Sequence, residues 1–80
     1  MEIKVLGSGC TKCRLLLEAA QQVVTELGLD ASVTKVDDIM KIMEYNILRT
    51  PALVIDGEVV SEGKSLSEDE VKDLLMQYIS

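Results

Sequence analysis

"RTPALVIDGEVV", residues 49 to 60, holds the only proline of this 80-residue chain and its clearest turn signal. Ala52 to Ile55 is a continuous apolar run, which fits a short buried strand. Asp56 and Gly57 form the dipeptide that best accepts the two positive φ angles of a tight hairpin turn. Glu58 to Ser61 then reads as the return strand. Pro51 has no amide N–H to give to a sheet ladder, so it belongs at the entry of the first of these strands. Residues 49 to 61 are therefore a hairpin with a proline at its mouth.

The rest of the chain arranges itself around that hairpin. After it, "SEDE" (67–70) pairs Ser67 with Glu70 as a capping box. The helix that follows is expected to bury Val71, Leu74, Leu75 and Tyr78. Before it, "EIKVL" (2–6) alternates and reads as a strand. From Thr11 to Leu27 the apolar residues fall at 13, 16, 17, 20, 24 and 27, one face of a helix, and Gly28 ends it. "SVTKV" (32–36) is a second strand, so the first 36 residues form a right-handed βαβ unit with a parallel pair. Asp37 or Asp38 caps a short helix, "DIMKIMEY", and Asn46 suits its left-handed end. Met40 and Met43, at helical spacing, are assigned to the core. The order is β-α-β-α-β-β-α, an α/β chain read as one domain over residues 1–80.

Both cysteines lie in "GSGCTKCR" (7–14). Cys10 falls at the first turn of the long helix and Cys13 three residues on, about 5 Å away, within reach of a disulfide. Such a bond would close a four-residue loop. It would stabilise by roughly 2 kcal/mol, against about 4.7 for a hundred-residue loop, so its value is chemical. The helix N-terminus carries partial positive charge and, with Lys12 and Arg14, favours the thiolate, the nucleophilic form. Cys13 continues the apolar face of Leu16, Leu17 and Ala20 and should be shielded. Cys10, at the strand-to-helix turn, should meet substrate. Geometry thus makes Cys10 the nucleophile and Cys13 the resolving thiol. Thr11 and Lys12, between them, are candidate substrate contacts. Arg49, two residues before Pro51, adds a third basic side chain near the same spot.

Other uses of the pair stay open at this point. Two thiolates suit linear Cu(I), or half of a site shared between chains, so a soft-metal or metalloid carrier is the alternative. The chain has no histidine and no third cysteine, which leaves a four-ligand zinc site unfilled, and no resident metal is expected. The copper-chaperone fold also places C-x-x-C between its first strand and helix, but it runs β-α-β-β-α-β and ends on a strand. A partner-binding module whose cysteines sense redox state, and two plain structural thiols, complete the field.

C-x-x-C at the start of the first helix, with Thr50–Pro51 before the third strand, resembles the thioredoxin superfamily. "TPALVIDG" and the small size are most similar to its short, glutaredoxin-sized members, the small redox-active disulfide proteins. The resemblance spans essentially the whole chain. It implies a thioredoxin-like fold, a four-stranded mixed sheet flanked by three helices. It implies a cis Pro51 facing the disulfide, with Thr50 offering its backbone to an extended substrate segment. It implies a protein disulfide oxidoreductase with protein disulfides as substrates. It needs no cofactor beyond the Cys10–Cys13 disulfide. Departures bear on the partners. Thioredoxins carry a buried acid on the strand before the motif, where this chain offers only Glu2 and Lys4. Glutathione-binding members have a Gly-Gly and an Asp after the last strand, where "SEGKSLSEDE" has the single Gly63. A flavoprotein disulfide reductase is thus the expected electron donor ahead of glutathione.

Composition agrees. A net charge of −6 speaks against nucleic acid or an anionic membrane as partner. No apolar run approaches the length of a membrane span. "MEIKVLGSG" has neither a basic n-region nor a long apolar h-region, so no signal peptide is read there. The expectation is a cytoplasmic monomer, in a compartment where a close cysteine pair is catalytic or metal-binding rather than a staple.

Overall fold

Hydrophobic alternation in one strand and a fully apolar run in another set the sheet. The computed structural model describes residues 1–7 and 11–79. Its strands are β1 (Glu2–Leu6), β2 (Ser32–Val36), β3 (Ala52–Ile55) and β4 (Glu58–Glu62). Its helices are α1 (Thr11–Leu27), α2 (Ile39–Met43) and α3 (Glu68–Ile79). The sheet order is β2-β1-β3-β4, with β1 and β2 parallel and the other two pairs antiparallel. The chain closes on a helix after a hairpin, which is the order read from the sequence and not that of the copper-chaperone fold.

Apolar side chains of the two central strands divide between two faces. Ile3 and Val5 of β1 join Leu53 and Ile55 of β3 in the main core, under Leu16, Ala20 and Val23 of α1 and Val71 and Leu75 of α3. Leu6, Ala52 and Val54 face the other way and are covered by Ile42 of α2. All four residues of β3 are buried, the physical meaning of its uninterrupted apolar run. At the hairpin, Asp56 and Gly57 take φ values of 49° and 84°, both positive as such a turn requires. The β3–β4 register slips between Leu53 and Val54, a bulge in the edge strand. Such bulges bend an edge and discourage its pairing with another chain.

The helix ends are closed as their sequences suggest. Gly28 sits at φ 65°. Its N–H donates to Thr25 O (3.2 Å), and Leu29 N–H donates to Val24 O (3.1 Å), a Schellman arrangement. Asp38 caps α2, its Oδ1 accepting from Met40 N–H at 2.9 Å. Asn46 takes the left-handed position that follows, at φ 55°. At α3, Ser67 N–H donates to Glu70 Oε1 (3.2 Å) and Glu70 N–H donates to Ser67 Oγ (3.3 Å).

Three packing expectations are corrected. Met40 and Met43 are not core residues: they are 74% and 64% exposed. A five-residue helix has room to turn one side chain, Ile42, fully onto the sheet. Tyr78 is 37% exposed rather than buried, and Leu74 is half-buried. Tyr78 lies where α3 passes the Asp56 turn, and its hydroxyl finds a polar partner in Asp56. On α1 the buried set also takes in Ala19 and Val23, because this helix packs against α3 as well as the sheet.

Two outcomes follow. Ser67→Ala removes one half of the capping box and should cost about 1 kcal/mol. For a domain of this size that lowers Tm by about 4–8 °C. Lys72→Ala, which deletes an exposed ion pair to Glu26 at 3.7 Å, should stay within about 0.5 kcal/mol. Thermal melts of both variants check the contrast. The second outcome concerns alkali. Partial desolvation beside the protein surface, then the charges of Asp56 and Glu58, hold the Tyr78 hydroxyl above the usual tyrosine range. The folded state therefore keeps this proton more tightly than the unfolded chain. The stability it contributes is complete below about pH 10, the ordinary tyrosine value. It is lost as pH rises through the folded value. Denaturant titrations at pH 8 and pH 11 should show a smaller loss for Tyr78→Phe than for the parent chain.

Candidate active site

The site is built where β1 ends, α1 begins and the chain enters β3. Cys13 stands on the first turn of α1 and is only 1% exposed, beneath the same helix face as Leu16 and Ala20. The first turn of α1 carries no acidic residue. Thr11, Lys12 and Arg14 are exposed around it. Lys12 and Arg14 thus add to the positive end of the helix without opposition from a nearby carboxylate on that turn. Cys10, the expected nucleophile, lies outside the described residues, as do Ser8 and Gly9.

Gly7 leaves β1 with its N–H donating to Val36 O at 2.9 Å, so its backbone is tied to the end of β2. It packs directly on Cys13. A Cβ added at residue 7 would fall within the van der Waals envelope of Cys13 Sγ, and would lie 3.2 Å from Cys13 Cβ and 3.7 Å from Thr50 Cβ. Gly7, Cys13 and Thr50 therefore meet at one point. Thr50 is exposed, Pro51 is buried, and the peptide bond between them is cis.

The loop before β3 is held from the far side by the end of β4. Gly63 N–H donates to Pro51 O at 2.8 Å, and Leu48 N–H donates to Glu62 Oε2 at 3.1 Å. The Arg49 side chain lies across Gly63, whose missing Cβ would sit 3.0 Å from Arg49 Cβ. Arg49 is thus drawn toward β4.

Beside this loop the surface is apolar. Leu48 is 92% exposed, and with Ile39 and Met43 of α2 it lines a shallow cleft that runs up to Thr50. The sequence reading missed this surface, having placed the methionines inside. The usable signal was the length of α2, too short to bury two faces. Gly7 was read only as part of a turn; nothing in its neighbours announces that a sulfur occupies its side-chain space.

Among the described residues no charged or polar side chain is buried. Lys4 Nζ sits 3.0 Å from Glu2 Oε1. Its hydrogen bonds to Glu2 and then to Tyr45 hold its ammonium above the usual lysine range. Neither Glu2 nor Lys4 is a buried acid of the kind the resemblance would place on this strand. Among the described residues, no three His, Cys, Asp or Glu side chains are grouped to hold a metal ion.

The chain is similar to known proteins. The Thioredoxin domain family profile matches residues 1–76. A thioredoxin of Methanothermobacter thermautotrophicus is 36% identical over 75 residues, covering 94% of this chain and 97% of that one. A thioredoxin of Methanocaldococcus jannaschii is 39% identical over 77 residues, covering 96% and 88%. Among solved structures, thioredoxin 1 from the thermophilic eubacterium Thermosipho africanus superposes with a TM-score of 0.69 at 18% identity, over 99% of this chain and 94% of that one. That last likeness establishes the fold. With the profile and the two relatives spanning nearly the whole sequence, the chain belongs to the thioredoxin family and is a disulfide oxidoreductase.

Proposed function

We propose that the chain exchanges electrons with the disulfides of other proteins through Cys10 and Cys13. The observation that carries this reading is the seat of Cys13: a shielded sulfur on the first turn of α1, packed beside Gly7 and Thr50. Cys10 thiolate attacks one sulfur of a substrate disulfide, and the other sulfur leaves as a thiolate. Cys13 then loses its proton and attacks Cys10 Sγ. The substrate's second sulfur leaves, and the Cys10–Cys13 bond closes. The substrate gains two electrons and the chain loses two.

Lys12 and Arg14 favour the attacking thiolate. Thr11, Lys12 and the Thr50–Pro51 backbone contact the substrate segment. No cofactor beyond the Cys10–Cys13 disulfide enters. Each copy carries both cysteines, so one chain completes the cycle, and the reducing cytoplasm suits such a dithiol. A flavoprotein disulfide reductase regenerates it. The single Gly63 after β4, where glutathione-binding members carry a Gly-Gly and an Asp, supports a protein donor.

The cleft of Ile39, Met43 and Leu48 receives the polypeptide flanking the substrate disulfide. It ends at Thr50, where an extended segment would begin to pair, so one bound chain reaches both. Its apolar side chains, left in water, gain by being covered.

Reduction of insulin by dithiothreitol tests the central claim. The parent chain should accelerate it, and Cys10→Ser should abolish the acceleration. Cys13→Ser should accumulate a mixed disulfide with insulin, visible as a reducible mass increase. Equal capture by both variants would overturn the two roles. Leu48→Glu places a charge in the cleft. Losing one well-buried contact costs on the order of 1 kcal/mol or more. The KM for insulin should therefore rise at least about fivefold more than that for a small aromatic disulfide. Equal changes would remove the cleft from substrate binding.

A further inference from the structure

We infer that Gly7 is a positioning residue for the resolving thiol: the side chain it lacks leaves the space in which Cys13 Sγ is seated, and that seat governs how fast Cys13 reaches a mixed disulfide. The inference rests on Cys13 being the resolving thiol. Three elements converge on the space and keep it narrow. The backbone of residue 7 is held to β2 by the bond from its N–H to Val36 O at 2.9 Å. Cys13 is held by α1, whose next buried residues, Leu16, Ala19 and Ala20, are locked in the main core. Thr50 closes the third side, its Cβ 3.7 Å from the point where a Cβ on residue 7 would lie.

A methyl group on residue 7 would overlap the sulfur. Strand and helix are both anchored, so the softest response is rotation of Cys13 about χ1 into another staggered well. The sulfur then starts its attack from the wrong side. A misplacement of about 1 Å can slow a positioned reaction about 100-fold. The effect falls on the second step, because the atoms pressed belong to Cys13, while Thr50 Cβ stays at ordinary contact distance, 3.7 Å.

The aromatic disulfide 5,5′-dithiobis(2-nitrobenzoate) separates the two steps. Attack by Cys10 thiolate releases one thionitrobenzoate and leaves the other bound to Cys10. Attack by deprotonated Cys13 on Cys10 Sγ releases the second, and the chain ends as the Cys10–Cys13 disulfide, two electrons poorer. In the reduced parent chain, thionitrobenzoate absorbance should rise in two phases, and Cys13→Ser should show only the first. Gly7→Ala should slow the second phase at least tenfold relative to the first. An unchanged ratio would overturn the inference. A second measurement holds even if Gly7→Ala folds poorly. Its drop in Tm should at least halve when made together with Cys13→Ala, which removes the atom being struck. An equal drop in both backgrounds would show that no conflict with the sulfur exists and would overturn the seat. If Cys13→Ser still releases two thionitrobenzoates per chain, the assignment of Cys13 as resolving thiol fails instead. The melting comparison would then judge the seat by itself.

Discussion

The antiparallel pairing of β1 with β3 organises this molecule. In its register Val5 faces Leu53 and Leu6 faces Ala52. One step beyond that last pair lie Gly7 on one strand and Pro51 on the other. The end of β1 that leads to the cysteines is thereby set beside the Thr50–Pro51 bond. The pairing is secured by burial on both faces. Ile3, Val5, Leu53 and Ile55 enter the main core, and Leu6, Ala52 and Val54 enter the smaller one. A one-residue slip would turn each set toward the wrong face. The site's geometry thus rests on the same apolar contacts that hold the sheet.

Around that pairing the chain spends its polar interactions at the ends of elements. The capping box of α3, the Asp38 cap of α2 and the Schellman end of α1 all lie at the surface, where a lost bond is partly replaced by water. Among the described residues the interior holds no charge. Lys4, the polar residue in the middle of β1, is engaged by Glu2 and Tyr45. The chemistry of the site is therefore concentrated in sulfur and in the helix terminus, with Lys12 and Arg14 as its exposed cations. The loop carrying Thr50 is rigidified from its other side by Glu62 and Gly63.

The fold was largely legible because its signals are local. Asp56–Gly57, Ser67 with Glu70, Gly28 and Asn46 each act within a few residues, and each occupies the conformation its chemistry favours. Helix faces were legible to within a residue or two; Ala19 and Val23 were missed because a second helix widens the buried arc of α1. Met40 and Met43 were misplaced because helical spacing shows that two residues share a side of a helix, not which side is covered. Tyr78 was misplaced for a related reason. Its apolar ring fits the buried face, but its position at the end of α3 beside Asp56 lets the hydroxyl decide.

By itself the sequence determined the order of elements, the caps and turns, Cys13 at a helix start and the proline at a strand entry. Those features depend on neighbours in the chain. Tertiary structure decided what lies against what: Gly7 against Cys13 and Thr50, Arg49 across Gly63, and an apolar cleft left open beside Thr50. These contacts join residues as far apart as 7 and 50, and no periodicity or local propensity encodes them. They follow from strand register and from the direction in which each packed helix points its side chains. Both exist only once the two cores have formed.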